Sequence, residues 1–210
     1  MLFLDELAEF DRLTLDALRQ PLEEGVLTIA RVRGRVRYPA RFQLVAAMNP
    51  CRCGYFNDQQ RRCTCKTGDP EQYVSRVSGP LRDRIDMEVE MARVPPALLI
   101  GGPDPESSAI VRGRILAARQ IALARNGGRP NALLPGTSVL GACGLTRAGT
   151  NALEDLSTSR QLSARSVHRL LRVARTIADL DSRAAVSEHD VLAAGSLRDP
   201  AGQPEDALAA

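Results

Sequence analysis

An α/β unit followed by a small all-α unit is the fold class this sequence predicts, and three observations carry the prediction. Two short apolar runs of strand character, Leu2-Phe3-Leu4 and residues 42–47, flank a stretch of helical spacing at about residues 8–24. Residues 94–105 include Pro95, Pro96, Gly101, Gly102, Pro103 and Pro105, a density that neither a helix nor a central strand tolerates. Beyond it, residues 107–125, 147–156, 163–180 and 187–194 all repeat apolar residues at helical spacing.

Taken in order, the opening run reads as a buried strand and residues 8–24 as helix. Residues 28–42 read as a hairpin turning near Gly34, with Arg31, Arg33, Arg35 and Arg37 at alternate positions. On one regular strand these arginines share a face unless the turn separates them. Residues 42–47 form the second core strand. The predicted organisation is an α/β part over 1–94, a linker over 95–105, a helical domain over 106–198 and a disordered tail over 199–210. Ser163 is placed to cap one helix, and Ser187-Glu188-His189-Asp190 has the form of a capping box.

With 210 residues, 44% of them hydrophobic, the chain is long enough to bury a core. No apolar run approaches the roughly 20 residues of a membrane helix, and Met1 opens on Leu2 without a basic flank, so the expected location is cytoplasmic and no membrane partner is expected. The net charge of +3 is mild, and Lys66 is the only lysine among the basic residues. Tryptophan is absent and aromatics make up 3%, which excludes base-stacking platforms of the RNA-recognition or OB type.

Four segments could carry chemistry. The first strand ends in Asp5-Glu6, where one carboxylate can support a Mg²⁺ shell and the next can orient water for attack on a phosphoryl group. The second strand ends in Met48-Asn49-Pro50. If the two strands are neighbours, Asn49 stands beside the acids and can position that water. Ser78-Gly79-Pro80-Leu81-Arg82-Asp83-Arg84-Ile85-Asp86 offers two arginines. Arg165 falls in the first turn of a helix, where free amides and the dipole favour an anion. Singly, each is compatible with a solvated turn or an ordinary surface role.

In combination and in this order they resemble Walker B, sensor 1, arginine finger and sensor 2 of AAA+ ATPases. The wording of Phe3-Leu4-Asp5-Glu6-Leu7, Leu18-Arg19-Gln20-Pro21-Leu22-Glu23, residues 40–51 and residues 171–180 resembles the ComM/YifB group of magnesium-chelatase-like ATPases. The resemblance implies an incomplete AAA+ core, the C-terminal half of a P-loop NTPase sheet domain, followed by a helical lid. It also implies a ring homo-oligomer, a hexamer, that uses ATP and Mg²⁺. Asp5 would support Mg²⁺, Glu6 polarise water and Asn49 position it. Arg84 would reach a neighbour's γ-phosphate, with Arg82 the competing candidate, and Arg165 would act from the lid. In related helicases a hairpin before sensor 1 faces the ring channel, so Arg31, Arg33, Arg35 and Arg37 would track DNA, and the motor would remodel DNA in transformation or recombination. No G-x-x-x-x-G-K-[ST] loop occurs, so the expectation is a fragment that lacks Walker A and does not by itself hydrolyse ATP appreciably.

Cys51-x-Cys53 and Cys63-x-Cys65 place four thiols on two short arms, a set suited to structural Zn²⁺, with reduced free thiols as the alternative. Cys143, among Leu140, Ala142 and Leu145, reads as a small buried apolar residue. His168 and His189 lie on predicted helices without companion ligands and read as structural. Two rival functions stand beside the motor: a zinc-stapled nucleic-acid-binding module without ATPase activity, and a metal-chelatase-type ATPase subunit.

Overall fold

The computed structural model describes residues 1–31, 34–58, 60–96, 100 and 105–198. They form two compact units, Met1–Ile85 and a second beginning at Asp86. Arg33, most of the expected linker and the expected tail at 199–210 lie outside the described residues.

In the first unit β1 (Leu2–Leu4) is followed by a 3-10 turn (Leu7–Glu9), α1 (Arg12–Ala17) and α2 (Arg19–Glu24). The single helical stretch expected over 8–24 is therefore divided. Asp11 is extended (φ −66°, ψ 149°) and caps α1, its Oδ1 accepting from Thr14 N at 2.9 Å, so no helix can run through it. Gly25 ends α2 with φ 66°, and a Cβ there would meet Arg41 Cγ at 2.8 Å, so the left-handed turn out of α2 requires glycine.

β2 (Val26–Arg31) and β3 (Gly34–Pro39) pair antiparallel with Ile29 opposite Val36 and Ala30 opposite Arg35. β4 (Leu44–Ala46) then returns to lie parallel to β1, Leu4 opposite Ala46. Parallel neighbours need a long crossover, and here it comprises α1, α2 and the hairpin. Two short helices with no clear apolar periodicity follow, α3 (Asp69–Val74) and α4 (Gly79–Arg82). Leu7, Leu15, Val77 and Leu81 form the buried core of this unit, with Leu4, Leu18, Leu22 and Ala46 packed against it.

The second unit contains α5 (Ser108–Arg125), α6 (Gly136–Cys143), α7 (Arg147–Ser159), α8 (Ala164–Leu180) and α9 (Glu188–Ser196). Side chains cap three of these helices at their first turns: Ser107 accepts from Ile110 N, Thr146 from Gly149 N and Ser163 from Ser166 N. The Ser187 capping box closes on Asp190. α8 is the central helix, and Leu170, Leu171, Ala174 and Ala178 line its buried stripe against Val139, Cys143, Leu153 and Val191. Gly149 lets the start of α7 approach the segment before α9, because a Cβ there would meet Val186 O at 2.8 Å. Cys143 is fully buried, and burial pushes its thiol up to about 11. His168 packs over Gly136, while His189 is exposed on α9. No helix among the described residues is long and apolar enough to cross a membrane.

Candidate functional site

The parallel pairing of β1 and β4 sets the geometry of the sheet edge. Ala47 N donates to Leu4 O and Leu7 N to Ala47 O, both at 2.9 Å, so Asp5-Glu6 and Ala47-Met48-Asn49 leave the sheet at the same end on adjacent strands. Carboxyl ends of neighbouring parallel strands are where open α/β sheets place ligands. Asp5, Glu6 and Asn49 are all exposed there. Asp5 Oδ1 accepts from Glu6 N at 2.9 Å, which turns the chain sharply out of the strand. Glu6 itself is left-handed, φ 50° and ψ 47°, a conformation costing a non-glycine residue about 1 kcal/mol. The apolar-then-acidic sequence gave no sign of that strain, which is the kind found where geometry serves a site.

Arg84 lies just beyond α4, and α4 is well anchored. Leu81 is fully buried, and Ser78 Oγ donates to Asp16 Oδ1 at 2.7 Å. The Arg84 guanidinium is folded back onto its own unit. Nη2 pairs with the Glu23 carboxylate and Nη1 donates to Pro80 O at 2.5 Å. Only 14% of the side chain is exposed, and Nε is buried without a hydrogen-bond partner. Glu23 was part of a sequence resemblance, but nothing in the spacing linked it to Arg84, 61 residues away. Arg82, the competing residue, is exposed.

Arg165 occupies the second position of α8, exposed, directly after the Ser163 cap. One turn on, Arg169 is 8% exposed and pairs with Asp86 at 3.5 Å. Burial lowers the Arg169 pKa, Asp86 opposes that, and the charges of Arg165, Arg198 and Arg172 lower it further. The first turns of α8 thus concentrate positive charge where the helix dipole is also positive.

In the hairpin, cross-strand pairing puts Leu27, Ile29, Arg31, Val36 and Tyr38 on one face and Thr28, Ala30, Arg35 and Arg37 on the other. The turn therefore separates Arg31 from Arg35 and Arg37.

Among the described residues, Cys51, Cys53, Cys63 and Cys65 are the cluster that could hold a metal ion, their Sγ atoms all within 4.8 Å of one another. The Sγ separations are 3.3 Å for Cys51 and Cys53, 3.4 Å for Cys53 and Cys63 and 3.8 Å for Cys51 and Cys63. Tetrahedral Zn²⁺ with bonds of about 2.3 Å places its sulfurs about 3.8 Å apart, so the donor set fits. Backbone groups of Thr64 and Tyr55 bonded to Cys53 hold its thiol low, at about 5. Against the Cys65 backbone bond, which pulls it down, burial and the Cys53 and Cys51 sulfurs push Cys63 up to about 12. Four thiols this close resist losing all their protons together, and a divalent cation relieves that resistance.

Two family models cover the two parts of the chain: magnesium chelatase, subunit ChlI, over residues 1–99, and the C-terminal region of that subunit over residues 105–198. The chain belongs to the magnesium-chelatase-like AAA+ family, in the group that includes ComM and YifB. It is 43% identical over 202 residues to the uncharacterized protein YifB of Escherichia coli K12, covering 94% of this chain and 39% of that protein. It is 43% identical over 184 residues to the competence protein ComM of Haemophilus influenzae, covering 86% of this chain and 35% of ComM. A protein of Mycobacterium tuberculosis H37Rv is 40% identical over 201 residues, again 94% of this chain and 39% of the relative. The chain thus spans well under half the length of these relatives.

Proposed function

We propose that this chain supplies the water-activating and phosphate-sensing part of a ring-forming AAA+ ATPase that remodels DNA. The observation that carries the reading is the parallel pairing of β1 with β4, which brings Asp5-Glu6 and the Asn49 segment to one sheet edge. A module that only binds nucleic acid does not require that arrangement. ATP with Mg²⁺ supplies the transferable phosphoryl group and the cation that neutralises its charge. Exposed and at the strand end, Asp5 would face the cation's water shell. Glu6 would accept a proton from the attacking water, and Asn49 would hold that water by hydrogen bonds. Arg84 would stabilise charge on a neighbouring copy's triphosphate, and Arg165 would do so from the helical unit.

The DNA part of the reading draws on Arg35 and Arg37 sharing one hairpin face, on Arg31 at the ribbon end, and on the competence name of the ComM relative. Basic groups at strand spacing suit a phosphate backbone rather than base edges.

The test uses the protein extended upstream so that it carries a phosphate-binding loop. Arg84→Ala subunits and Glu6→Gln subunits, each nearly inactive alone, should regain ATP hydrolysis when mixed, because one supplies the base and the other the arginine across the subunit boundary. Mixtures no more active than the separate variants would remove the trans role of Arg84.

The cysteine cluster is assigned to structural Zn²⁺, which ties the segment just after Asn49 to the loop before α3. Protein purified under reducing, chelator-free conditions is expected to carry about one zinc per chain by elemental analysis. Cys51→Ser should lose it. Wild-type protein with far less than one zinc and freely titrating thiols would eliminate the metal.

A further inference from the structure

We infer that Glu23 is a positioning residue for the Arg84 guanidinium, holding it on its own subunit and yielding it only to a stronger anion, the triphosphate bound by a second copy of the chain. The inference rests on the trans role proposed for Arg84.

Glu23 sits in the last turn of α2 (Arg19–Glu24), where the exposed carbonyls of the helix end disfavour a carboxylate. Glu24 beside it accepts from Gln20 Nε2 at 3.0 Å, whereas Glu23 takes the Arg84 guanidinium. The base of Arg84 is fixed: α4 is pinned by buried Leu81 and by the Ser78–Asp16 hydrogen bond. The tip is held by contacts that an anion can replace. Arg84 is 14% exposed but Glu23 is 38% exposed, so the carboxylate side of the pair opens to water, where ion pairs bias a side chain by factors of about five. A triphosphate carries more charge than one carboxylate and accepts a guanidinium fork in bidentate fashion. The exchange thus runs toward the neighbour's nucleotide when it is present and back to Glu23 when it is not. A merely structural pair, clamping α2 to the finger segment, would lack this exchange.

The first arm uses the chain itself. Phenylglyoxal, which modifies accessible guanidinium groups, is followed by peptide mass mapping, with the side chain of Arg12, 74% exposed, as internal reference. Arg84 is expected to react several-fold more slowly than Arg12. Glu23→Gln should raise the Arg84 rate about fivefold while the Arg12 rate and the circular dichroism spectrum stay unchanged, and Glu23→Asp should give an intermediate rate. Unaltered Arg84 labelling in folded Glu23→Gln overturns the inference. Should that variant fail to fold, the wild type decides. Raising salt from about 0.05 to about 1 M must speed Arg84 labelling relative to Arg147, which is exposed and has no ion pair among the described residues, if an ion pair restrains Arg84, and a constant ratio overturns the inference.

The second arm uses mixed rings of the upstream-extended protein. Adding Glu23→Gln to the Glu6→Gln donors should lower the KM for ATP of the Arg84→Ala partners about fivefold at unchanged kcat, since the guanidinium no longer has to leave its own subunit. A fall in kcat instead assigns Glu23 to scaffolding. If donors carrying both Glu6→Gln and Arg84→Ala restore hydrolysis equally well, Arg84 is not the trans arginine and the exchange falls with it. The labelling arm still reports whether Glu23 restrains the side chain.

Discussion

Asp179→Ala is expected to lower the melting temperature of the helical unit by about 15 °C or more, read by circular dichroism on the whole chain. Asp179 is 1% exposed at the end of α8, yet it gathers four donors. Arg125 Nη1 reaches Oδ1 at 2.5 Å and Nη2 reaches Oδ2 at 2.8 Å, Asn131 Nδ2 donates to Oδ2 at 2.8 Å, and Arg175 Nη2 lies 3.1 Å from Oδ1. Arg175 is fully buried; its Nη1 and Nη2 otherwise donate to the carbonyls of Cys143, Ala184 and Arg183, and its Nε is buried without a hydrogen-bond partner among the described residues. Removing the carboxylate would strand a buried guanidinium, a change that costs about 3–5 kcal/mol, a large part of what holds a domain folded. A melting temperature within about 3 °C of wild type would show that water reaches the site and that the network is dispensable.

The same network sets a pH dependence. Burial alone would push the Asp179 carboxyl up, but the hydrogen bonds from Arg125 and Asn131 and the charges of Arg175 and Arg125 outweigh it, so its pKa lies below the ordinary value. A group depressed in the folded state stabilises the fold above its unfolded pKa, near 4, and that contribution fades as pH falls through the folded value. Wild-type stability should therefore drop below about pH 4, while Asp179→Asn, weaker at neutral pH, should show a flatter acid limb.

Glu6→Gln carries the largest expected effect on activity. In the upstream-extended protein kcat for ATP should fall by about 10²- to 10⁴-fold, the range a general base contributes, while nucleotide binding persists. Glutamine keeps the size and the left-handed backbone of this position but cannot accept the proton. Turnover within about twofold of wild type would take Glu6 out of the chemistry and move attention to the water held by other groups.

Much of this was legible in the residues because it is local. Ser163 and Ser187 announced their helices through side-chain caps one turn away, and Leu2–Leu4 announced a strand by its apolar run. α6 was hidden because Gly136, Gly141 and Gly144 surround its apolar residues with helix-weakening ones, and its stability comes from packing Val139 and Cys143 against α8. Periodicity does not say which strands pair, so the parallel pairing of β4 with β1 is visible only in the fold. The C-x-C arms suggested a metal, but only the fold shows two arms 10 to 12 residues apart meeting within ligand distance. Glu23 with Arg84, and Asp179 with Arg125, join positions 61 and 54 residues apart, and no pattern along the chain encodes such pairs. Arg175 and Asp179, four apart on α8, were the one part of that network a helix-face reading could have found.

The crossover between β1 and β4 acts as a handle with an exchangeable tool. Three paired positions on each strand fix where Asp5 and Asn49 emerge, and everything from the 3-10 turn to the end of the hairpin is a closed excursion that begins and ends at that clamp. Lengthening the ribbon adds only slowly growing closure entropy and leaves the clamp untouched. Ribbon length and charge can therefore change while the residues at the strand ends keep their spacing.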